Sequence, residues 1–463
     1  MPVIAGAWAV VKEAMRGGDR DFTAMGLRRA MVLLSIPMVL EMAMESLFAL
    51  VDVFFVSRLG VEAVAVVGLT EGVMMLVYSI AWGIGAGITA VVARRIGEKD
   101  TEGANISAVQ GILIALIIGA LFAVPGLFHA SKLLGLMGAS PGVTELGTPF
   151  MRIMLGSNVV ILLLFGINAI FRGAGNAALA MRSLWLANII NIILDPILIF
   201  GFGPIPAMGV TGAAVATVIG RGTGVVYQCW HLFDGKGKIK LVRKHLRVNW
   251  SAFVNIVRLS GAASAQFLIA SASWLFLIRI VAGFGSDAVA GYTIAVRIVV
   301  FALLPAWGIA NAATTLVGQN LGADRPDRAE RSAWLCGHAN MIYMSAMAIL
   351  LILVAPVALG FFTDVPDVAR IGINALRIVS LGFAFYAYGM VLSQSFNGAG
   401  DAMTPVWLNL VCFWLVEIPL AWYLAMWMQK PEGVFVAIAI SESLLAVFCA
   451  IVFRKGRWKL MQV

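Results

Sequence analysis

The sequence predicts an all-α membrane protein with twelve transmembrane helices arranged as two six-helix lobes. Of its 463 residues 61% are hydrophobic and only 12% are charged, whereas soluble domains are about 25% charged. The apolar stretches are long and continuous, each near the roughly 20 residues that a helix needs to cross a bilayer. They lack the alternating pattern of a transmembrane β-barrel. The third observation is an internal repeat, which divides the chain into two similar halves.

Twelve apolar stretches are long enough to cross the membrane. We place them at about 31–55, 63–92, 106–130, 146–171, 183–202, 209–232, 259–283, 288–318, 335–362, 371–396, 405–428 and 434–453.

The repeat keeps a constant offset of 225 residues. Leu34-Ser35 matches Leu259-Ser260, Trp82-Gly83-Ile84 matches Trp307-Gly308-Ile309, and FRGAGNA at 171–177 matches FNGAGDA at 396–402. Because six spans separate the copies, both halves have the same orientation, as in transporters built from parallel repeats. The expected organisation is an N-terminal segment (1–30), a first lobe (31–232), a basic linker with an interfacial helix (233–258), a second lobe (259–453) and a tail (454–463).

Charge placement predicts the orientation. With the N-terminus inside, 24 of the 33 Lys and Arg residues fall on the cytoplasmic side, which is the positive-inside pattern. We therefore expect a multi-pass protein of the plasma (inner) membrane with both termini cytoplasmic. The net charge of +9 then reflects topology and attraction to anionic lipids, not nucleic-acid binding. The four cysteines have no metal-site or disulfide spacing, and no cleavable signal peptide is evident.

The first helix, LSIPMVLEMAMESLFALVDVFF (34–55), carries Glu41, Glu45 and Asp52. At about 100° per residue these three acids lie within roughly 40° of one line along the helix. A charged carboxylate at the bilayer centre costs roughly 3 kcal/mol even on lenient scales. The acids therefore predict a face turned inward, toward a cavity or an ion. The second copy of this helix lacks them, so they belong to one lobe.

Further polar groups lie at the depth of Asp52: Glu71 in the second span, Asn191 and Asp195 in the fifth, and Thr217 in the sixth. Such oxygens suit Na⁺ or a proton shared between carboxyls. Plainer interpretations stay open. Asn191 and Thr217 could be ordinary interhelical hydrogen-bonding groups, and Asp195 could bind backbone freed by the proline that follows it. Pro37 is either a hinge or a packing residue.

These residues lie in motifs that resemble the multidrug and toxic compound extrusion (MATE) family. The motifs are SIPMVLEMAMESLFALVDVFFVSRLG, AVAVVGL, ARRIGEKD and NIILDPILIFGFG followed by MGVTGAAVAT, and the likeness covers about 28–455. The resemblance implies two lobes around a central cleft that export drugs by alternating access in exchange for Na⁺ or H⁺. By motif, Asp52, Asn191, Asp195 and Thr217 match the family's cation site in the amino-terminal lobe, and Pro37 matches a proline associated with bending.

The second lobe departs from the resemblance. One branch of the family keeps an acid in the seventh helix and another in the tenth. Here the seventh helix has Gln266, and the tenth offers Tyr386, Tyr388 and Gln394 without a carboxylate. Arg279 and Arg297 lie in the second lobe's first two spans. Together with Gln266, Tyr386 and Tyr388 they are candidates for the substrate cleft, and the methionines Met42, Met44, Met74 and Met75 would give it adaptable walls.

The favoured function is a secondary active antiporter that exports organic, mainly cationic compounds and uses no cofactor besides its coupling ion. Two alternatives stay open: a flippase of lipid-linked precursors, for which Arg279 and Arg297 would bind pyrophosphate, and a channel or scaffold. Enzymatic motifs are not evident, because GAGNA and GAGDA connect helices instead of cradling phosphates. We expect a monomer in contact with membrane lipids, and the same carboxylates serve Na⁺ and H⁺ equally well.

Overall fold

The computed structural model describes residues 2–235 and 237–463. The described chain is almost entirely helical, and its only extended pairing is one bridge between Phe202 and Ile205 in the loop that follows the fifth span. The helices of the N-terminal half are α1 (Pro2–Arg16), α2 (Leu27–Ser57), α3 (Val61–Gly97), α4 (Thr101–Leu136), α5 (Pro141–Gly156), α6 (Asn158–Gly173), α7 (Ala177–Phe200) and α8 (Val210–Phe233).

The second half repeats this order. Its fifth crossing differs, because a π-helical segment, Leu410–Glu417, separates two short α-helices. The helices are α9 (Trp250–Ala282), α10 (Ser286–Gly322), α11 (Pro326–Gly360), α12 (Pro366–Leu381), α13 (Phe383–Ala399), α14 (Met403–Asn409), α15 (Ile418–Met428) and α16 (Glu432–Arg454).

The predicted fold of twelve spans in two lobes is confirmed. Within the described ranges, nine helical stretches are long and apolar enough to cross a membrane, and the pair α12 and α13, bent by 59°, makes a tenth. The remaining two crossings are α2 with 31 residues and α8 with 24. At about 1.5 Å per residue, both exceed the roughly 30 Å of a bilayer core. These two helices carry most of the site's charged residues.

The repeat is visible in the backbone as well as in the residues. Gly60 and Gly285 both have φ near +100°, and Gly175 and Gly400 have φ of 85° and 88°. More unusually, Lys99 (φ 61°) and Asp324 (φ 56°) form another left-handed pair. Left-handed backbone is disfavoured for residues with a Cβ, so its recurrence at the same offset indicates that each lobe has the same turns.

The linker between the lobes differs from the sequence prediction in two respects. The seventh helix, α9, begins at Trp250, so the predicted linker end at 258 lies inside a helix. The expected interfacial helix of the linker is reduced to one short 3₁₀ turn, Arg243–His245, among the residues described there. The reason is local: Asn249 caps α9 by accepting a hydrogen bond from the backbone N–H of Ala252 at 3.0 Å, which starts the helix before the apolar run begins.

The two lobes contact each other through small residues. A Cβ added to Gly87 of α3 would lie 2.8 Å from the backbone nitrogen of Ser260 in α9, and Gly83 is closer still to Ser264. On the other side of the molecule, a Cβ on Gly308 of α10 would lie 2.6 Å from the backbone nitrogen of Val39 in α2. The lobes therefore meet backbone to backbone along α3–α9 and α2–α10.

The face of the protein on which α2 begins and α16 ends, here called the terminal face, is closed. Gln319 donates a hydrogen bond to the carbonyl oxygen of Gly173 at 2.9 Å, and Thr315 donates to that of Arg172 at 3.1 Å. Both bonds join the second lobe to the first. The tail adds to the closure, because Arg95 donates to the carbonyl oxygen of Val463 at 3.1 Å. The space between the lobes therefore opens toward the opposite face.

Candidate functional site

A cavity of about 500 Å³ lies between the lobes and is lined by both. The first lobe contributes charged and polar side chains to its wall: Glu45, Asp52, Glu71, Arg172, Thr217 and Arg221. The second lobe contributes mainly apolar and aromatic ones, together with Asn311 and Gln394. Of the four methionines predicted to face the cleft, Met42, Met74 and Met75 line the cavity. The two halves of the wall thus differ sharply in charge.

Aromatic rings from both lobes meet in this cavity. Tyr78 stacks on Trp82 at 6.3 Å between ring centroids, Trp82 lies 5.6 Å from Phe267, and Phe267 lies 5.6 Å from Trp307. Trp82 and Trp307 are the matching tryptophans of the sequence repeat. Flat aromatic surfaces beside carboxylates are the usual setting for binding an organic cation.

The predicted cation-site residues come together on α2, α7 and α8. Asn191 donates a hydrogen bond to the Thr217 hydroxyl at 3.1 Å. Asp195 is fully buried, and neither of its carboxylate oxygens has a hydrogen-bond partner among the described residues. Asp52 is half-buried on the cavity wall, within electrostatic range of Asp195. The site thus consists of one carboxylate facing the cavity and a second one behind it.

Glu45 lies deeper in α2 and is paired. Arg221 of α8 donates to it at 3.3 Å, and Asn188 of α7 donates to its other oxygen at 3.0 Å. The Arg221 guanidinium also lies 5.6–5.7 Å from the ring centroids of Phe48, Tyr78 and Phe165. Aromatic faces stabilise a desolvated guanidinium. This arrangement holds α2 against α7 and α8 with its charges balanced.

Glu41 is buried outside the cavity lining. Its Oε1 accepts hydrogen bonds from Asn168 at 3.2 Å and from Arg172 at 3.4 Å, both on α6. Gln228 of α8 in turn donates to Asn168 at 2.7 Å. Two of the three acids on the predicted stripe therefore have arginine partners within the first lobe, and Asp52 is the one whose carboxylate faces the cavity without an ion pair among the described residues.

Glu71 lines the cavity from α3, and Arg297 of α10 lies within electrostatic range of it. Of the five side chains predicted for the substrate cleft, only Tyr386 lines the cavity in this structure. Arg279 and Arg297 are both exposed outside the lining. Both arginines lie on the outer parts of their helices, where a long cationic side chain reaches solvent.

Gln266 and Tyr388 are also placed elsewhere. The Gln266 amide donates to Asn397 at 2.9 Å and to the carbonyl oxygen of Ala402 at 2.8 Å, so it joins α9 to the end of α13. Tyr388 packs against the rings of Trp334 and His338 on α11. In this structure neither side chain lines the cavity, because each makes contacts between helices, which polar side chains in a span commonly do.

Several residues of the site escaped the sequence argument. Arg172, Asn168 and Asn188 lie at helix ends or in apolar runs where nothing in the local sequence indicates their partners. Phe267 looked like one of many aromatic residues. Trp307 could have been predicted as a site residue, because it repeats Trp82 at the constant offset of 225 residues. Both tryptophans line the cavity.

Two six-helix lobes that both line a central cavity are the architecture of two-lobed membrane transporters. The MatE family model matches residues 37–197 and 262–423, one match in each lobe. The chain belongs to this family of multidrug and toxic compound extrusion transporters, and the resemblance noted in the sequence is confirmed.

Individual relatives agree with this assignment. The chain is 27% identical over 429 residues to the "Probable multidrug resistance protein YoeA" of Bacillus subtilis, covering 91% of this chain and 92% of that protein. It is 28% identical over 437 residues to a "FAD transporter" of Shewanella oneidensis, covering 91% and 93%. A solved structure described as the outward-facing conformation of a multidrug resistance MATE family transporter superimposes with a TM-score of 0.87, at 28% identity, over 96% of each chain.

Proposed function

We propose that the protein is a secondary active antiporter that exports small organic cations in exchange for H⁺ or Na⁺ bound in the first lobe. The observation that carries the proposal is the pairing of a cavity-facing Asp52 with a buried Asp195 that has no hydrogen-bond partner. Two neighbouring carboxylates without a cation between them are costly in a low-dielectric interior. Binding an ion there changes the energy of the lobe, which is what coupling requires.

The proposed transport cycle starts from the state seen here, in which the cavity is open on the side opposite the terminal face. Facing outward, Asp52 and Asp195 take up the ion, with Asn191 and Thr217 as further oxygen ligands if the ion is Na⁺. Neutralising the carboxylates weakens their hold on a bound organic cation, which leaves to the outside. The lobes then turn, the ion leaves to the cytoplasm, and a new substrate enters. One elementary charge that moves through 100 mV supplies about 2.3 kcal/mol.

Alternating access needs a moving element, and we assign this role to α2. Pro37 lies inside this helix, is buried, and lacks the N–H that would bond to the carbonyl of Leu33. The bend would lie on the terminal-face side of Glu41 and Asp52, so that it could move both carboxylates relative to α7. Replacing Pro37 by Ala should slow transport while ion binding at Asp52 persists. Unchanged transport in that variant would leave Pro37 as a packing residue.

The substrate charge is inferred from the wall of the cavity. Asp52 and Glu71 face it without an ion pair within the described chain, whereas Arg221 and Arg172 are engaged by Glu45 and Glu41. An anionic substrate is the second candidate, since both arginines reach the lining and one relative is named an FAD transporter. The lipid flippase is less supported, because the arginines that suggested it lie outside the cavity lining.

We further propose that the terminal face is cytoplasmic, because it carries most of the Lys and Arg residues, and that the protein lies in the inner membrane as a monomer in contact with lipids. The deciding experiment measures transport of a fluorescent organic cation and of FAD in proteoliposomes, with a pH gradient and a Na⁺ gradient imposed separately. Cation movement driven by either gradient supports the proposal and identifies the coupling ion. FAD movement alone would select the anionic candidate, and no response from folded protein would refute coupled export.

A further inference from the structure

A second pair of buried carboxylates lies in the C-terminal lobe, where the sequence comparison with the family gave no cation site. Glu417 ends the π-helical segment, and Glu442 lies on α16. Their exposed fractions are 2% and 9%, and one oxygen of each carboxylate has no hydrogen-bond partner in the part of the chain that the structure describes. Their charges are close enough to interact. The pair occupies the eleventh and twelfth spans, which are the second copies of the fifth and sixth spans that hold Asp195 and Thr217.

A small cavity beside the pair contains another unpartnered polar group. Tyr292 of α10 is 3% exposed and lines this cavity together with Glu442, and no described residue forms a hydrogen bond with its hydroxyl. The cavity has a volume of about 30 Å³, while a single water needs roughly 10–15 Å³. It therefore admits water or a small ion and excludes an organic substrate.

This small cavity adjoins the central one. Trp274, Leu303 and Tyr386 line both cavities. Tyr386 of α13 is also within electrostatic range of both glutamates. The two cavities therefore share these three side chains, and Glu442 lies in the lining of the smaller one.

Among the residues that the structure describes, no Lys, Arg or His compensates the charge of the pair. The titratable groups nearby are Tyr292 of α10, Tyr386 of α13, Cys412 of the π-helical segment and Cys449 of α16. From α9 the Ser273 hydroxyl faces Glu417. Throughout residues 2–235 and 237–463, no Lys, Arg or His forms an ion pair with either glutamate.

Two hydrogen bonds fix the π-helical segment that ends at Glu417. Ser441 of α16 donates to the carbonyl oxygen of Cys412 at 2.9 Å, and the indole of Trp414 donates to that of Ile269 at 3.1 Å. Both bonds fix the π-helical segment against its neighbours. Single π turns inside α-helices are rare and occur frequently at functional sites. The segment is therefore a built feature of the second lobe.

We propose that Glu417 and Glu442 form a second proton-binding site of this transporter, located in the C-terminal lobe and reached from the central cavity past Tyr386. Two carboxylates in an apolar setting without a cation cannot both be charged at acceptable cost. One of them holds a proton in the outward-open state and releases it to water when the lobes turn. The proposal rests on ion-coupled export, and it adds a proton to the exchange made at Asp52.

The test uses the full-length protein in lipid nanodiscs and infrared difference spectra recorded across a pH titration. We compare wild type, Glu417→Gln, Glu442→Gln and the double variant. Glu432→Gln is the matched control, because Glu432 lies on the same helix but already accepts a hydrogen bond from Asn374 at 2.9 Å. Because Asp52 and Asp195 can contribute their own protonated-carboxyl bands, we expect a titrating component that wild type and the control share and the double variant lacks. If the double variant does not fold, the same band is compared between wild type and the two single variants.

Titrating carboxyl bands that are identical in wild type and the double variant overturn the proposal, and so does removal by Na⁺, at constant pH, of the component that the double variant lacks. A second measurement counts protons exchanged per substrate in proteoliposomes from the pH gradient that halts transport. The double variant should exchange about one proton fewer than wild type and Glu432→Gln, whereas a merely structural role would leave the ratio unchanged. If wild type shows no coupled transport but the infrared band behaves as expected, the proton site stands and the export function fails.

Discussion

The guanidinium of Arg221 and the carboxylate of Glu45 lie 3.3 Å apart inside the first lobe, where the exposed fractions of their side chains are 4% and 21%. This pair joins α8 to α2 in the wall of the central cavity. It neutralises one acid of the stripe on α2 and leaves Asp52 as the unpaired one. The division between a structural and an ion-binding carboxylate on one helix follows from this contact.

Breaking the Arg221–Glu45 pair should destabilise the protein. Replacing Glu45 by Gln leaves a buried guanidinium without a counter-charge, and breaking buried pairs costs about 3–5 kcal/mol. We expect Glu45→Gln to lower the free energy of unfolding by about 3 kcal/mol, at the low end of that range, since Glu45 is partly exposed. Thermal unfolding of Glu45→Gln, Arg221→Met and the double variant gives the coupling free energy. Strictly additive effects of the two substitutions would show that the pair contributes nothing.

Replacing Asp52 by Asn should abolish coupled export while the protein still folds. The asparagine fills the same volume on the half-exposed cavity wall, but it can neither bind a proton nor attract a cation. Gradient-driven efflux should fall to the level of liposomes without protein, with an unchanged melting temperature. Glu62→Gln is the control, because Glu62 is an exposed acid in the first turn of α3. Wild-type efflux from Asp52→Asn would refute the ion-binding role.

Adding one methyl group between the lobes should shift the conformational equilibrium. In Gly87→Ala the new Cβ would lie 2.8 Å from the Ser260 nitrogen, whereas Gly68 on the same helix has no atom within 4 Å of an added Cβ. Overpacking of this kind costs about 1–3 kcal/mol, and it penalises the conformation in which α3 and α9 meet at Gly87 and Ser260. We expect slower labelling of a cysteine placed at Ala270 in the cavity, in a background without native cysteines. Equal labelling of Gly87→Ala and Gly68→Ala would contradict this expectation.

The segment between α1 and α2 should respond to acid through Asp21. This carboxylate accepts hydrogen bonds from the Thr23 hydroxyl at 2.5 Å and from the Thr23 backbone N–H at 2.9 Å. The bond from the hydroxyl is the main reason that the pKa of Asp21 is lowered from 3.8. A lowered pKa means that Asp21 stabilises the folded segment above pH 3.8 and that this contribution is lost as the pH falls through the folded-state pKa.

Hydrogen exchange at the Thr23 and Ala24 amides measures this effect. Relative to intrinsic rates, protection should persist at neutral pH and decrease below the lowered pKa. Asp21→Ala should lose it at every pH, and Asp19→Ala, in the same segment, should keep it. Protection that is independent of pH in wild type would assign the order of the segment to Arg328 instead, which donates to the carbonyl oxygen of Phe22 at 3.1 Å.

Much of the fold could be predicted because its signals are local or periodic. Apolar runs mark the spans, and the constant offset reveals the two lobes before any contact is known. Asp52, Asn191 and Thr217 were identifiable because polar residues in apolar helices are costly. Their partners were not, since Arg172 and Glu41 are 131 residues apart and only folding makes them neighbours.

Glu417 and Glu442 show a different limit. Each is an acid within an apolar span, which is the same signal that singled out Glu41. The family resemblance indicates acids in the seventh and tenth helices, not in the eleventh and twelfth. Glu417 and Glu442 also share no helix face, so no sequence spacing links them. Their proximity depends on a π turn that places Glu417, and the sequence gives no recognisable pattern for such a turn.

The left-handed backbone that Lys99 and Asp324 share has a consequence for the history of the chain. Their side chains carry opposite charges, yet their φ angles differ by only 5° (61° against 56°). We infer from this match that the two halves arose by gene duplication. Since then the conformation of the main chain has stayed the same at these turns, while the side chains have changed. With a duplicated frame, one copy can lose an acid from one helix and gain another elsewhere while its turns stay intact. The two lobes are therefore free to specialise separately.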